Sequence, residues 1–269
     1  RIQKLIKKAN IHTICEEGRC PNRAECYASG TATFLLGGSI CSRACAFCQV
    51  NKGKPTELDQ LESTKVAQSI KYLKLKYVVL TSVARDDLND HGAILFTSTI
   101  DEIRKIDPLI KIEVLTPDLW GGGKSLQERE DLQKQRLKKI LDKQPICFNH
   151  NLETVERLQR EVRRGANYKS SINLLKIAKN IYPNIETKSG IMIGLGENLE
   201  EIKETILDLK KVNCNQITIG QYLRPSLNHL PVKKYWEPKE FEYIEKFAKQ
   251  LDFNKVSCGP LIRSSYHAG

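Results

Sequence analysis

Three cysteines lie close together in Cys41-Ser-Arg-Ala-Cys45-Ala-Phe47-Cys48, directly after the glycine turn of Phe34-Leu-Leu-Gly37-Gly38. Metal binding is the chemistry that such close cysteine spacing serves. A cubane iron–sulfur cluster normally takes four cysteine ligands, so a compact triad leaves one iron open to a small molecule, and open positions are where metal sites do chemistry. A second triad, Cys15-Glu-Glu-Gly-Arg-Cys20-Pro-Asn-Arg-Ala-Glu-Cys26, lies just upstream and also lacks a nearby fourth cysteine. Structural zinc usually takes paired Cys or His ligands in two matching halves, and neither triad has a second half.

The other cysteines, Cys147, Cys214 and Cys258, stand singly in apolar surroundings and read as small buried hydrophobes. Nine cysteines in a chain that opens on Arg1-Ile2-Gln3-Lys4-Leu5-Ile6-Lys7, without a signal-peptide core, argue for metal ligation over a disulfide framework and predict a soluble, cytoplasmic protein. No apolar run reaches the length of a membrane span, so no membrane is expected as a partner. Lys and Arg outnumber Asp and Glu by 43 to 32, for a net charge of +11. That excess favours an anionic partner: nucleic acid, an acidic protein domain or a phosphate-bearing metabolite. Part of it, at Lys71, Lys74 and Lys76, also suits a solvated helix face.

These residues need a scaffold. At 269 residues, with 40% hydrophobic and 28% charged residues, the chain is long enough for one α/β barrel. Short β-branched runs alternate with helical patterns, the signature of βαβ units around a parallel sheet. Strands are predicted at Thr33 to Leu36, Tyr77 to Thr81, Lys111 to Leu115, Ile146 to Asn149, Ser189 to Ile193 and Gln216 to Gly220. One helix is well marked: Asn198 caps it, Glu201 completes a capping box, and Ile202, Ile206 and Leu209 form its apolar face. Residues 121 to 139 read as a glycine loop leading into an exposed, charged helix. Six strands suit a partial barrel, whose functional loops lie at the strand C-terminal ends.

The Cys-x3-Cys-x2-Cys spacing with Phe47 before the last cysteine resembles the radical S-adenosylmethionine superfamily. Within it, His12-Thr-Ile-Cys15-Glu-Glu-Gly-Arg-Cys20-Pro21-Asn22 is similar to the lipoyl synthase family. The similarity continues through Thr81-Ser82-Val83-Ala-Arg85-Asp86-Asp87, Phe148-Asn149-His150-Asn151-Leu-Glu153, Met192-Ile-Gly194-Leu-Gly196-Glu197, Gln221-Tyr222-Leu223-Arg-Pro225 and Arg263-Ser264-Ser265-Tyr266, in family order along nearly the whole chain.

The resemblance implies two 4Fe-4S clusters and S-adenosylmethionine. Cys41, Cys45 and Cys48 would hold the cluster that binds S-adenosylmethionine. Cys15, Cys20 and Cys26 would hold an auxiliary cluster sacrificed as sulfur donor, completed by Ser265 in preference to Ser264. The implied fold is α/β, a partial (β/α)6 TIM-type barrel at 31–253, with an N-terminal extension at 1–30 and a C-terminal segment at 254–269 covering the auxiliary cluster. The implied reaction inserts sulfur at C6 and C8 of a protein-bound octanoyl-lysine. The implied partners are octanoylated lipoyl carrier domains (glycine cleavage H protein, dehydrogenase E2 subunits) and an electron donor such as ferredoxin or flavodoxin, with no nucleic acid.

By the same resemblance Thr81, Ser82, Asn149, Glu153, Gly194, Glu197, Gln221 and Leu223 line the S-adenosylmethionine pocket. Each has a plainer reading as a turn or cap residue: Asn151 can cap a following helix, and Gly194 and Gly196 can serve backbone geometry alone. His150 reads as a hydrogen-bonding residue at a strand end, and Arg85, Asp86 and Asp87 either as an exposed charge cluster or as part of the active face. The chain departs from the commoner family pattern at Leu119-Trp120-Gly121-Gly122-Gly123, Lys169-Ser170-Ser171 and Arg224. Other sulfur-inserting radical enzymes, such as biotin synthase or an RNA methylthiotransferase, share the first triad; the second triad and Arg-Ser-Ser-Tyr favour lipoyl synthase. An electron-transfer or nucleic-acid-binding protein with two metal sites is the reading from another class.

Overall fold

The computed structural model describes residues 11–18, 20–28 and 31–265; Tyr266, Arg19 and the first ten residues lie outside them. The described residues form two compact units, one from those up to Arg43 together with Gln49–Phe148, the other from Ala44–Cys48 together with those from Asn149 onward.

In the first unit the order is β1 (His12–Thr13), α1 (Ile14–Glu17), α2 (Arg23–Ala28), β2 (Thr33–Leu36), β3 (Ile40–Cys41), β4 (Asn51–Lys52), α3 (Glu62–Leu73), β5 (Tyr77–Ser82), α4 (Ala93–Ile106), β6 (Lys111–Leu115) and α5 (Leu126–Leu141). β2, β5 and β6 pair in parallel, Leu36 opposite Ser82 and Thr81 opposite Leu115, while β1 lies antiparallel on β2. β3 and β4 form a separate parallel pair. Strands covered on both faces read as continuous apolar runs, and β2 and the centre of β5 are buried throughout. The helices meet them with Val66 and Ile70 of α3 and Phe96, Ile100 and Ile103 of α4, all buried. Burying each such side chain is worth about 1.5–3 kcal/mol.

β7 (Cys147–Asn149) carries the division between the units at Phe148 and Asn149. The second unit continues through α6 (Gln159–Val162), α7 (Tyr168–Ile181), β8 (Glu186–Ile193), α8 (Leu199–Lys211), β9 (Gln216–Gln221), α9 (Pro238–Lys249) and β10 (Lys255–Gly259). β8, β9 and β10 are parallel. The predicted capping box holds: Glu201 N–H donates to Asn198 Oδ1 and Asn198 N–H to Glu201 Oε2, each at 2.9 Å. Ile202, Ile206 and Leu209 are fully buried.

All six predicted strands are present. β10 is an addition: Lys-Val-Ser-Cys-Gly alternates, but Val256 is its one strong strand former. α5 forms where the charged helix was expected and is mostly exposed, with Gln133, Arg136, Leu137, Ile140 and Leu141 as its buried face. Asn151 caps no helix; its amide Nδ2 donates to Glu153 Oε1 at 3.0 Å. Cys147 and Cys214 are buried and Cys258 half-buried, and burial pushes the thiols of Cys214 and Cys258 up to about 12, as inert core sulfur requires.

Candidate functional site

In the first unit β2 runs into the Gly37-Gly38 turn, whose two amides donate to the Glu62 carboxylate at 2.8 and 3.2 Å. β3 follows and presents Cys41. Its Sγ accepts hydrogen bonds from the amides of Ala84 at 3.3 Å and Arg43 at 3.4 Å. These two amides fix where the sulfur sits on the loop.

Arg43 anchors this loop. Its guanidinium makes a bidentate contact to Asp86, with Nη2–Oδ1 at 2.7 Å, and reaches Asp118 Oδ1 through Nη1 at 2.6 Å. Ser42 Oγ donates to Asp86 Oδ2 at 2.6 Å. Burial alone would raise the Asp86 pKa, but hydrogen bonds from His91, Arg43 and Ser42 hold it far below the ordinary carboxylate range. Arg85, 3% exposed, pairs with Asp87 through Nη2 at 2.7 Å. Asp86 therefore belongs to the scaffold of the cysteine loop, and Arg85 and Asp87 brace the same β5–α4 connection. Arg136 of α5 donates to the carbonyls of Leu119, Gly121 and Asn89, and Gln133 to that of Asp118, so the charged helix holds the divergent glycine loop beside Arg43.

The rest of the motif belongs to the second unit. Cys48 N–H closes a turn on the Cys45 carbonyl at 3.2 Å, and Ala46 N–H donates to the Val162 carbonyl at 2.8 Å. His229 Nε2 lies 3.1 Å from the Cys48 carbonyl and its Nδ1 2.9 Å from Ser226 Oγ. A carbonyl only accepts, so Nε2 carries the proton and Nδ1 accepts from the serine, which fixes the tautomer.

In the same unit Glu153, at φ +66°, extends the pairing along β8: its N–H donates to the Gly190 carbonyl and its carbonyl accepts from Met192 N–H. Burial pushes its carboxyl pKa up, against the opposing influence of Arg163 and Asn151. Glu197 accepts from the amides of Gly194 and Leu195 and from Trp236 Nε1 at 3.0 Å. Gln221 donates to the carbonyls of Tyr222 and Lys234 and accepts from Trp236 N–H. A Cβ on Gly194 would stand 2.2 Å from Gln221 Nε2, so only glycine allows this network to close. Both side chains are thus engaged within the protein. Thr81, in the first unit, donates to the Leu115 carbonyl at 2.9 Å, whereas the buried Ser82 hydroxyl has no protein partner. Asn149 and His150 are buried in the second unit and Leu223 is exposed.

The upstream triad lies in the first unit. Cys20 N–H donates to the Cys15 carbonyl at 3.1 Å, and Cys26 N–H to the Asn22 carbonyl at 3.0 Å. Burial pushes the Cys15 thiol up to about 11, against hydrogen bonds from Thr33 and with a further push from Cys20 and Cys26. Burial and then Cys20 raise Cys26 in the same way. A bound cation near Cys15 and Cys26 would offset the cost of ionising these two thiols. Among the described residues no three His, Cys, Asp or Glu side chains converge on a single ion position. By donor type, three cysteines in each triad match the cysteine ligation of iron–sulfur clusters, one short of the usual four. Ser265 is half-buried and belongs to the second unit. Its segment crosses β9 at Gly220, where a Cβ would meet the Ile262 carbonyl at 2.1 Å.

The signature of the Radical SAM superfamily matches residues 35–209. A protein described as "Lipoyl synthase 2" in Prochlorococcus marinus subsp. pastoris is 78% identical over all of this chain and 90% of its own length. The chain belongs to the lipoyl synthase family. A "Lipoyl synthase" of Pseudoalteromonas atlantica is 49% identical over 99% of the chain and 80% of its own length. Among solved structures, methylornithine synthase aligns with a TM-score of 0.58 at 14% identity over 96% of this chain and 82% of that one. Streptococcus suis SuiB bound to S-adenosylmethionine gives 0.62 at 12% over 88% and 53%. These distant structures share the fold, and the parallel α/β arrangement fits a partial TIM-type barrel. As a lipoyl synthase the chain is a radical enzyme that uses S-adenosylmethionine and a 4Fe-4S cluster. Sequence reasoning missed Arg43, Asp118 and His229, whose bonds hold the segments bearing the first triad, and Glu62 and Arg136, which brace the neighbouring Gly37-Gly38 turn and Leu119–Gly121 loop. Only Arg43 had a signal, its place inside the motif.

Proposed function

We propose that this lipoyl synthase inserts sulfur at C6 and C8 of an octanoyl chain on a carrier-domain lysine, with the Cys15, Cys20, Cys26 and Ser265 cluster as sulfur donor. The observation that carries the proposal is the pair of separate cysteine triads, each without a fourth cysteine, in a chain of this family. When bound, the cluster at Cys41, Cys45 and Cys48 and S-adenosylmethionine supply a radical able to remove hydrogen from an unactivated methylene carbon.

The chain's own residues position and tune. Arg43, clamped by Asp86 and Asp118, fixes Cys41, and two amides hold its sulfur in place. His229 holds the Cys48 carbonyl. Ser82 keeps a hydroxyl available to a ligand, and the buried Glu153 carboxyl suits the cationic end of S-adenosylmethionine, whose charge would offset the cost of ionising it. Thr81, Asn149 and Leu223 complete the proposed lining, while Gly194, Glu197 and Gln221 shape it through the network with Trp236. A serine oxygen at Ser265 is a harder iron ligand than thiolate, which suits a cluster that is taken apart.

The proposed architecture is the partial (β/α)6 barrel at 31–253, with 1–30 and 254–269 covering the auxiliary cluster. The proposed partners are octanoylated H-protein or E2 carrier domains and a ferredoxin or flavodoxin, in the cytoplasm, with no nucleic acid. No helix among the described residues is long and apolar enough to cross a membrane.

The test is anaerobic reconstitution with iron and sulfide, then incubation with S-adenosylmethionine, a reductant and an octanoyl-lysine peptide. The expected result is 5′-deoxyadenosine together with a peptide carrying two added sulfurs. Deoxyadenosine without sulfur on the peptide would overturn the substrate assignment.

A further inference from the structure

The second unit carries a groove of about 740 Å³ lined by Arg160, Arg164, Tyr168 and Lys169, among others, with Glu156 as its acidic member. Arg160, Arg164 and Lys169 are exposed and make no hydrogen bond or ion pair within the described residues. Of the other surface cations, Lys65, Lys138, Lys143, Arg157, Lys203, Lys211 and Lys249 each hold a carboxylate, while Lys134, Lys139, Lys176, Lys239 and Lys246 hold none among the described residues, so what sets this place apart is the gathering of three around one groove. Three unpartnered cations against the one carboxylate of Glu156, in a chain of net charge +11, leave the concavity net positive.

Its position ties it to the candidate site. Arg160 stands on the outside of α6. From the same helix, Gln159 donates inward to the carbonyls of Leu152 and Thr154, on either side of Glu153. The Val162 carbonyl of α6 accepts from Ala46, between Cys45 and Cys48. One four-residue helix thus bears the groove on its outer side and supports the Glu153 and Cys45–Cys48 segments on its inner side.

We infer that this groove is the docking surface for a carboxylate-bearing face of the octanoylated carrier domain. The inference rests on the proposed function and deepens it by naming where the protein part of the substrate is held. A phosphate-bearing small molecule would also be drawn to cations. The carrier is favoured because the groove's three cations are exposed on long side chains, while its two buried donors are already committed, Gln159 Nε2 to the Leu152 and Thr154 carbonyls and the Tyr168 hydroxyl to Asp208. Exposed charges across such a contact act chiefly on encounter and on salt dependence.

The test compares the cluster-loaded wild type with R160E/R164E/K169E, three exposed positions outside the proposed metal and S-adenosylmethionine residues. The expected result is a rise of about tenfold in both Kd and KM for the octanoylated carrier domain at low ionic strength, with the difference shrinking as salt is added. Turnover of the short octanoyl-lysine peptide stays unchanged. Unchanged carrier Kd in the variant would overturn the docking surface, as would equal loss on carrier and peptide. Tight binding of inorganic phosphate that the variant abolishes, with carrier affinity intact, would assign the groove to a small anion instead. Failure of the wild type to modify the peptide would count against the proposed function, while carrier Kd would still report on the groove.

Discussion

Arg43 and Asp118 make the most consequential single contact in the first unit. Asp118 is 1% exposed, so Arg43→Ala would leave a buried carboxylate without its cation. Breaking a buried pair costs about 3–5 kcal/mol, and chemical denaturation is expected to show a loss in that range. Asp86 adds a pH dependence with a definite sign. Its native pKa is lowered, so its stabilisation is present above the unfolded value of about 4 and is lost as pH falls from there towards the native value. Asp86→Asn is therefore expected to be less stable than wild type at pH 7, with the difference narrowing below about pH 4 in thermal melts. Glu153→Gln tests the proposed cationic ligand: affinity for S-adenosylmethionine, measured by calorimetry, is expected to fall about tenfold, the worth of one charge-assisted hydrogen bond. The cysteines were legible because their chemistry is written in spacing. Asp118 and His229 were not, because their partners are about 75 and 180 positions away in the chain.

α8 could be read residue by residue before any coordinates, since its cap, its box and its apolar face are all local signals. Asn198→Ala is expected to lose about 1 kcal/mol, seen as a lowered Tm. β10 was not legible: its strand character comes from pairing with β9 and from the packing of α9 more than from its own residues. α5 was legible as an exposed, charged helix, but the inward turn of Arg136 and Gln133 was not; they turn inward because carbonyls of the 118–121 loop need donors. The C-terminal segment makes the sharpest test at this scale. Gly220→Ala would drive a methyl into the Ile262 carbonyl and displace the chain leading to Ser265. The expected outcome is impaired iron loading at the Cys15 triad, with the Cys41 triad still loading, read by Mössbauer spectroscopy.

For the whole molecule, the βα rhythm and the six main strands followed from apolar runs, and the family followed from motifs spread over the full chain. The division at Phe148 and Asn149 had no such signal, because it falls inside a strand with no break in composition. The +11 charge was legible as a preference for an anion, and Arg160, Arg164 and Lys169 are already neighbours in the sequence; the structure adds that they stay unpaired around one groove. The central claim is that the upstream triad holds the sulfur that enters the product. It is tested most directly by reconstituting the chain with isotopically heavy sulfide, removing free sulfide, and weighing the product of a single turnover on octanoyl-lysine peptide. The account predicts two heavy sulfur atoms in each product and release of the iron held at Cys15, Cys20 and Cys26. A product bearing light sulfur, or one formed while that iron stays bound, would contradict it.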